Sequence, residues 1–198
     1  VMVNILRNLD RNKFDMSLIV IKKEGPYMNL IPDDIFVADL NVDRVRFALP
    51  RLIKELNRYK PDIILSTLGH LNLALLMVRP FLKSNPRIFI REANTPSRSM
   101  SELPSHKKKV FWWLHKKLYS KADLIIAQCK EMKEDIIESF NIQENQIKHI
   151  YNPLDLDAIK NKMKSKNPYD VNKVNFIATG RLTYQKGFDI LIDAFERV

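Results

Sequence analysis

Two cations, Arg181 and Lys186, stand between two glycines, Gly180 and Gly187, in the last stretch of a 198-residue chain. That set of residues suits a phosphate. Arg offers a planar fork to two oxygens, and Lys adds a compact point charge. The glycines let a phosphate approach the backbone. Fixed cations placed where negative charge gathers stabilise that charge. The pattern is not G-x-G-x-x-G. It is not a Walker A either, because Lys186 is followed by Gly187 instead of Ser or Thr.

The flanking residues say what would position these cations. Val174–Thr179 is an apolar, β-leaning run ahead of Gly180. After Gly187, residues Phe188, Leu191, Ile192 and Phe195 recur at i, i+3, i+4 and i+7, the apolar face of a helix. The expected order is strand, basic loop, helix. In parallel α/β folds such a turn lies at the carboxyl edge of the sheet, where ligands bind. The helix N-terminus there carries free N–H groups and partial positive charge.

The rest of the chain alternates in the same way. Strands are expected at Met16–Ile21, Ile35–Leu40, Ile63–Ser66, Arg87–Arg91, Leu124–Ala127 and Ile147–Tyr151. Helices are expected at Val1–Leu9, Arg44–Tyr59, Leu71–Phe81, Lys107–Tyr119, Lys130–Phe140 and, weakly, Asp155–Met163. Pro50 falls in the first turn of its helix or at a kink. Glu92–Pro104 reads as a polar loop. Alternating strands and helices predict an α/β fold with a parallel, doubly wound sheet. Both ends fall inside helical patterns, so the sequence reads as a piece of a longer chain.

Gly180–Phe195 resembles the GRL-x-x-x-KG-x-D-x-L-I-x-A-F signature that opens the second domain of GT-B glycosyltransferases in the large retaining family 4. Gly180, Arg181, Leu182, Lys186, Gly187, Phe188, Leu191, Ala194 and Phe195 fit it. The resemblance implies a Rossmann-like acceptor-side domain at 1–152 that lacks its first strand. It implies a linker at 153–173 and, at 174–198, the first β-α unit of a second Rossmann-like domain that binds the nucleotide sugar. The missing first strand and its glycine-rich loop would precede Val1. Without it, the strands on either side face each other across a gap or close up. The family's Glu-x7-Glu segment would lie beyond Val198. Tyr151–Asp155 resembles an N-G-V-D segment with Pro153 in place of Gly, which brings in Asn152 as a substrate-binding residue. Ala122–Lys130 resembles a strand ending in a Ser-containing turn, with Gln128 and Cys129 where Ser is common. Arg91–Pro96 resembles a cleft loop in which many members carry a His that this chain lacks.

The activity so implied is transfer of a sugar, of the hexosyltransferase kind, from a nucleotide diphosphate sugar to a hydroxyl acceptor in polysaccharide or glycolipid assembly. Arg181 and Lys186 would carry the catalysis, with Gly180 and Gly187 beside the donor. No metal is expected, and no cofactor beyond the donor itself. A sugar-nucleotide epimerase of the same fold is the alternative enzyme. A non-catalytic basic module for membrane or nucleic acid is the alternative of another class.

Three more features invite a role. Glu92 and Asn94 follow a buried-type strand and should reach the cleft, where they would orient acceptor or sugar. His70 follows another strand, beside Gly69 at a helix entrance, where it would contact the acceptor. Against these stand a loop capped by Asn94 before Pro96 and a solvent-facing helix start. His106, His115 and His149 suggest no role, and Cys129 reads as a small buried residue. Lys107–Lys117 (KKKVFWWLHKK) fits contact with a membrane surface or an anionic acceptor, or else a packing helix with solvated lysines.

Composition sets the outer limits. Hydrophobic residues make up 45% of the chain, which is globular rather than disordered. The net charge of +10 favours an anionic partner. No nucleic-acid-binding signature accompanies it, so a nucleotide sugar, a carbohydrate or lipid-linked acceptor and an anionic membrane surface are the expected partners. One cysteine fits a reducing, cytoplasmic location, with the inner face of the membrane as the place for a peripheral contact. No run approaches the ~20 apolar residues of a membrane span.

Overall fold

Every strand pairing among the described residues is parallel, as expected from strands separated by helices. The structure is a computed structural model that describes residues 1–101, 103–163, 168–170 and 172–197, without the side chains of His106 and Gln185. It falls into two compact units, Val1–Leu154 and Asp155–Val198.

The first unit opens with α1 (Met2–Asn8), β1 (Ser17–Val20) and β2 (Phe36–Asp39). It continues through α2 (Val45–Tyr59), β3 (Ile63–Thr67) and α3 (Gly69–Val78) to β4 (Arg87–Arg91). Then come α4 (Pro96–Ser101), α5 (Ser105–Tyr119), β5 (Leu124–Ala127), α6 (Lys130–Phe140) and β6 (Ile147–His149). The strands form two sheets, β1-β2 and β3-β4-β5-β6. β1 and β3 do not pair, so the sheet is interrupted between them.

The core lies on the four-stranded sheet. Ile88, Ile90 and Ile125, from its two central strands, have no exposed surface. Central parallel strands are covered on both faces, so their inner residues are apolar. Leu73, Leu75, Leu76 and Val78 of α3 pack into the same cluster. α3 is apolar nearly all round and correspondingly buried. Tyr119 from α5 and Ile136 and Phe140 from α6 complete the cluster. Lys60 and Asn141 end α2 and α6 in the left-handed conformation that commonly stops a helix.

Two expectations change, and one alternative is narrowed. The loop expected over Glu92–Pro104 contains α4. Pro96 starts that helix with its φ already suited, and Pro96 and Met100 are buried. Pro50 sits inside α2, past the first turn. The strand expected at Val174–Thr179 is absent: the segment is in no sheet among the described residues. A strand exists through its ladder of hydrogen bonds, and this run has no partner. Val174 is left 83% exposed and Phe176 72% exposed. Phe176 instead stands edge-on to Phe195, with ring centroids 4.9 Å apart.

The second unit contains α7 (Leu156–Lys162) and α8 (Phe188–Glu196). Asp155 caps α7, its side chain accepting from the Ala158 N–H at 2.9 Å. The linker expected at 153–173 lies partly outside the described residues, at 164–167 and 171, as does Val198.

Candidate functional site

Because β3 to β6 run parallel, their last residues share one edge of the sheet, and polar side chains gather there. Arg91, the final residue of β4, donates from its guanidinium to the Thr67 hydroxyl oxygen at 2.8 Å, at the end of β3. It also donates to the Asn152 side-chain oxygen, just past β6. Asn152 donates in turn to the Gln128 side-chain oxygen at 2.6 Å, just past β5. Gln128 closes the ring by donating to the backbone carbonyl of Glu92, next to Arg91. One network therefore ties together the carboxyl ends of β3, β4 and β5 and the segment after β6.

Beneath that edge lies a second group. The Glu92 side chain is 4% exposed. It accepts from the Asn72 amide at 2.8 Å and from the Tyr119 hydroxyl. Asn72 donates also to the Arg91 carbonyl at 3.0 Å. A Cβ at Gly69 would lie 3.6 Å from Glu92 Oε2 and 3.7 Å from His115 Nε2, so both groups face the start of α3. His115 Nδ1 is 2.7 Å from the Phe111 carbonyl, which places the Nδ1 proton there in the neutral ring. Burial raises the Glu92 carboxyl above its ordinary value, against the hydrogen bonds from Tyr119 and Asn72 and the charge of Arg91. Burial lowers His115 and lifts Tyr119 well above the ordinary phenol range.

This placement revises the expectation for Glu92. Its side chain does not reach a cleft but turns into the interior, where Asn72 and Tyr119 supply the donors a buried carboxyl needs. Asn94 is exposed in the following loop, and His70 is exposed at the second residue of α3. Asn152 joins the edge network. Sequence reasoning passed over Arg91, Thr67, Asn72, Tyr119 and His115. Arg91 carried the readable signal, a charge ending an apolar strand. His115 carried none, since its burial comes from Tyr119 and Phe140, whose ring centroids lie 4.7 and 5.3 Å away.

The basic loop belongs to the second unit and is described by itself. Arg181 and Lys186 are exposed. The Thr183 N–H donates to the Arg181 carbonyl at 2.8 Å, and the Lys186 N–H to the Thr183 carbonyl at 2.9 Å, which makes the turn tight. Gly187 sits at φ 60° as the N-cap of α8. A Cβ at Gly180 would be 3.3 Å from Lys186 Cγ and from the Phe188 ring, so the missing side chain makes room for the lysine stem. No group of His, Cys, Asp and Glu able to hold a metal occurs among the described residues.

A parallel α/β unit with its polar residues gathered at the carboxyl edge defines a class of ligand-binding folds. Residues 1–158 match the family described as Glycosyltransferase Family 4, and the chain belongs to that family. It is 28% identical over 158 residues to an uncharacterized glycosyltransferase of Methanocaldococcus jannaschii, covering 75% of this chain and 38% of the relative. It is 32% identical over 127 residues to N-acetylgalactosamine-N,N'-diacetylbacillosaminyl-diphospho-undecaprenol 4-alpha-N-acetylgalactosaminyltransferase of Campylobacter jejuni, covering 64% and 34%. It is 30% identical over 94 residues to an uncharacterized 41.2 kDa protein in the cps region of Klebsiella pneumoniae, covering 46% and 26%. These matches span 38% or less of each relative's length.

Proposed function

We propose that this chain is part of a retaining glycosyltransferase that moves a sugar from a nucleotide diphosphate sugar to a hydroxyl acceptor in polysaccharide or glycolipid assembly. Family membership supports the class. The observation that carries the donor chemistry is the tight turn holding the exposed Arg181 and Lys186, closed by the left-handed Gly187 at the start of α8. When the bond from sugar to diphosphate breaks, negative charge grows on the leaving oxygen. Two cations fixed beforehand stabilise that charge and need no metal to do so. In this reading residues 1–152 receive the acceptor, 153–173 link the two parts, and 174–198 begin the donor side. Asn152, Asn94 and His70 lie towards the acceptor, while Glu92 supports the edge from below.

The test uses the full-length enzyme. Arg181→Ala or Lys186→Ala should lower the transfer rate by more than ~100-fold. Near-wild-type turnover in both variants would rule out the diphosphate assignment. An epimerase would convert the donor without an acceptor, and a binding module would turn over neither.

A lipid-linked acceptor at the cytoplasmic membrane face is a finer reading. It is favoured by the diphospho-undecaprenol in the Campylobacter relative's name and by the surface of α5. Val110 and Trp113 are each 56% exposed there, and Lys117 stands over the Trp113 ring, 4.8 Å from its centroid. No helix among the described residues is long and apolar enough to cross a membrane. In this reading the contact is made by this surface lying on the headgroups.

A further inference from the structure

We propose that Arg91 anchors an oxyanion subsite at the carboxyl edge of β3–β6, built from residues other than those of the Arg181–Lys186 loop, and that its ligand is a phosphate group of the acceptor. The assignment to the acceptor rests on the transferase reading above; the subsite itself does not.

Arg91 is a cation kept out of water, 8% exposed, with no acid paired to it. Its two hydrogen-bond partners, the Thr67 hydroxyl and the Asn152 amide, are neutral. Among the described residues no carboxylate comes within ion-pair distance of it. Glu92, its neighbour in sequence, turns towards Asn72 and Tyr119. The charge of Glu92 favours the guanidinium, but burial outweighs it and holds Arg91 below its ordinary value. Arg79 is treated differently. It serves the opposite edge of the same sheet and has a carboxylate, Asp123, at 3.2 Å. A buried guanidinium hydrogen-bonded only to neutral oxygens leaves its desolvation incompletely compensated, and an arriving anion supplies the missing charge.

The surroundings suit such an anion. A guanidinium has five N–H donors, and two bonds are made here. Thr67 accepts from Arg91, so its own hydroxyl hydrogen remains to donate outward. Asn152 is exposed and lies past the end of β6, which makes it the partner a ligand displaces. An oxyanion entering there meets the fork with two oxygens, the geometry in which Arg binds phosphate most strongly. The position is the carboxyl edge of a parallel sheet, where the strand ends leave room for ligands.

The experiment removes the donor-loop cations first. Full-length protein carrying Arg181→Ala and Lys186→Ala is titrated with inorganic phosphate, followed by phosphorus NMR and by thermal shift. Saturable binding should persist, and adding Arg91→Gln should weaken it by at least about tenfold, as loss of charged hydrogen bonds does. Asn152→Asp puts a carboxylate against the guanidinium in place of the ligand, so it should abolish phosphate binding and raise the melting temperature. If Arg91→Gln does not fold, Arg91→Lys, which keeps the charge, and Asn152→Asp carry the test. Absence of saturable binding, unchanged binding in Arg91→Gln or Arg91→Lys, or a lowered melting temperature in Asn152→Asp overturns the subsite. In the wild-type enzyme phosphate should compete with the acceptor, and competition with the donor alone overturns the acceptor assignment. Loss of transfer on mutating Arg181 bears on the diphosphate loop and not on Arg91, so the two readings fail separately.

Discussion

The hydroxyl of Tyr119, near the end of α5, donates to the carboxyl of Glu92, just past the end of β4, and both side chains are almost without solvent. Such a bond joins a helix to the sheet it covers through one pair of atoms. Tyr119→Phe keeps the ring in its place against His115 and Phe140 and removes only the donor. Glu92 then retains the Asn72 amide as its side-chain donor. The variant should lose about 1–3 kcal/mol of stability. Denaturant unfolding of the full-length protein measures this, and an unchanged midpoint would show that the bond contributes nothing.

Glu92 should also make stability depend on pH. Burial raises its carboxyl above the ordinary value of 4.5 in the folded protein. The folded state therefore holds the proton more tightly than the unfolded chain. Its stabilising contribution is whole below 4.5 and declines as pH rises through the folded-state value. Glu92→Gln removes that titration, so wild-type stability minus that of the variant should fall as pH climbs from the acid range. His115 works in the opposite direction. Burial holds it below its ordinary 6.5, so its contribution is whole above 6.5 and declines as pH drops. It is present in both proteins and cancels in the difference. A flat or rising difference curve across the acid range would contradict the assignment to Glu92.

The two tryptophans of α5 should behave differently. Trp112 packs edge-on to Phe140 with centroids 5.4 Å apart, while Trp113 points outward beside Lys117. Trp112→Ala should therefore destabilise the protein clearly, though by less than the ~3–5 kcal/mol lost on truncating a fully buried Trp, because Trp112 is half-buried. Trp113→Ala should leave stability nearly unchanged and weaken co-sedimentation with anionic vesicles. Replacing Lys107–Lys109 by Ser should weaken it further, by about 1 kcal/mol per lysine, and high salt should release the protein. Equal binding to neutral and anionic vesicles would make α5 a packing helix and nothing more.

What was legible in the sequence follows from how local each signal is. The six strands of the first unit and their parallel order could be read, because apolar runs between helical periodicities are local. Segment 174–179 misled for the complementary reason. Its apolar, β-leaning residues are local, but a ladder needs a partner that local pattern does not supply. Asn152 was picked out through its likeness to a family segment, without any hint of its partners. Glu92 was singled out correctly as a residue past a strand end. Its inward turn was not readable, since it depends on Asn72 and Tyr119, 20 and 27 residues away. The pairing of Arg91 with Asn152 spans 61 residues and exists only once four strands are aligned.

The interruption between β1 and β3 divides the ladder hydrogen bonds of the first unit into two populations. The amides of β4 and β5 are held by strands on both sides and covered by α3, α5 and α6. Those of the β1-β2 ribbon have one neighbour each, and a two-stranded ribbon is marginal without further support. Opening the ribbon breaks no hydrogen bond in the larger ladder, so the two should exchange their amide protons with solvent on separate clocks. Deuterium labelling of residues 1–198 by themselves should find Leu18, Ile19 and Val37 exchanging well before Ile88, Ile90 and Ile125. Residues 1–198 by themselves would then respond to mild denaturant in two stages, losing the ribbon while the four-stranded edge that carries Arg91 stays intact.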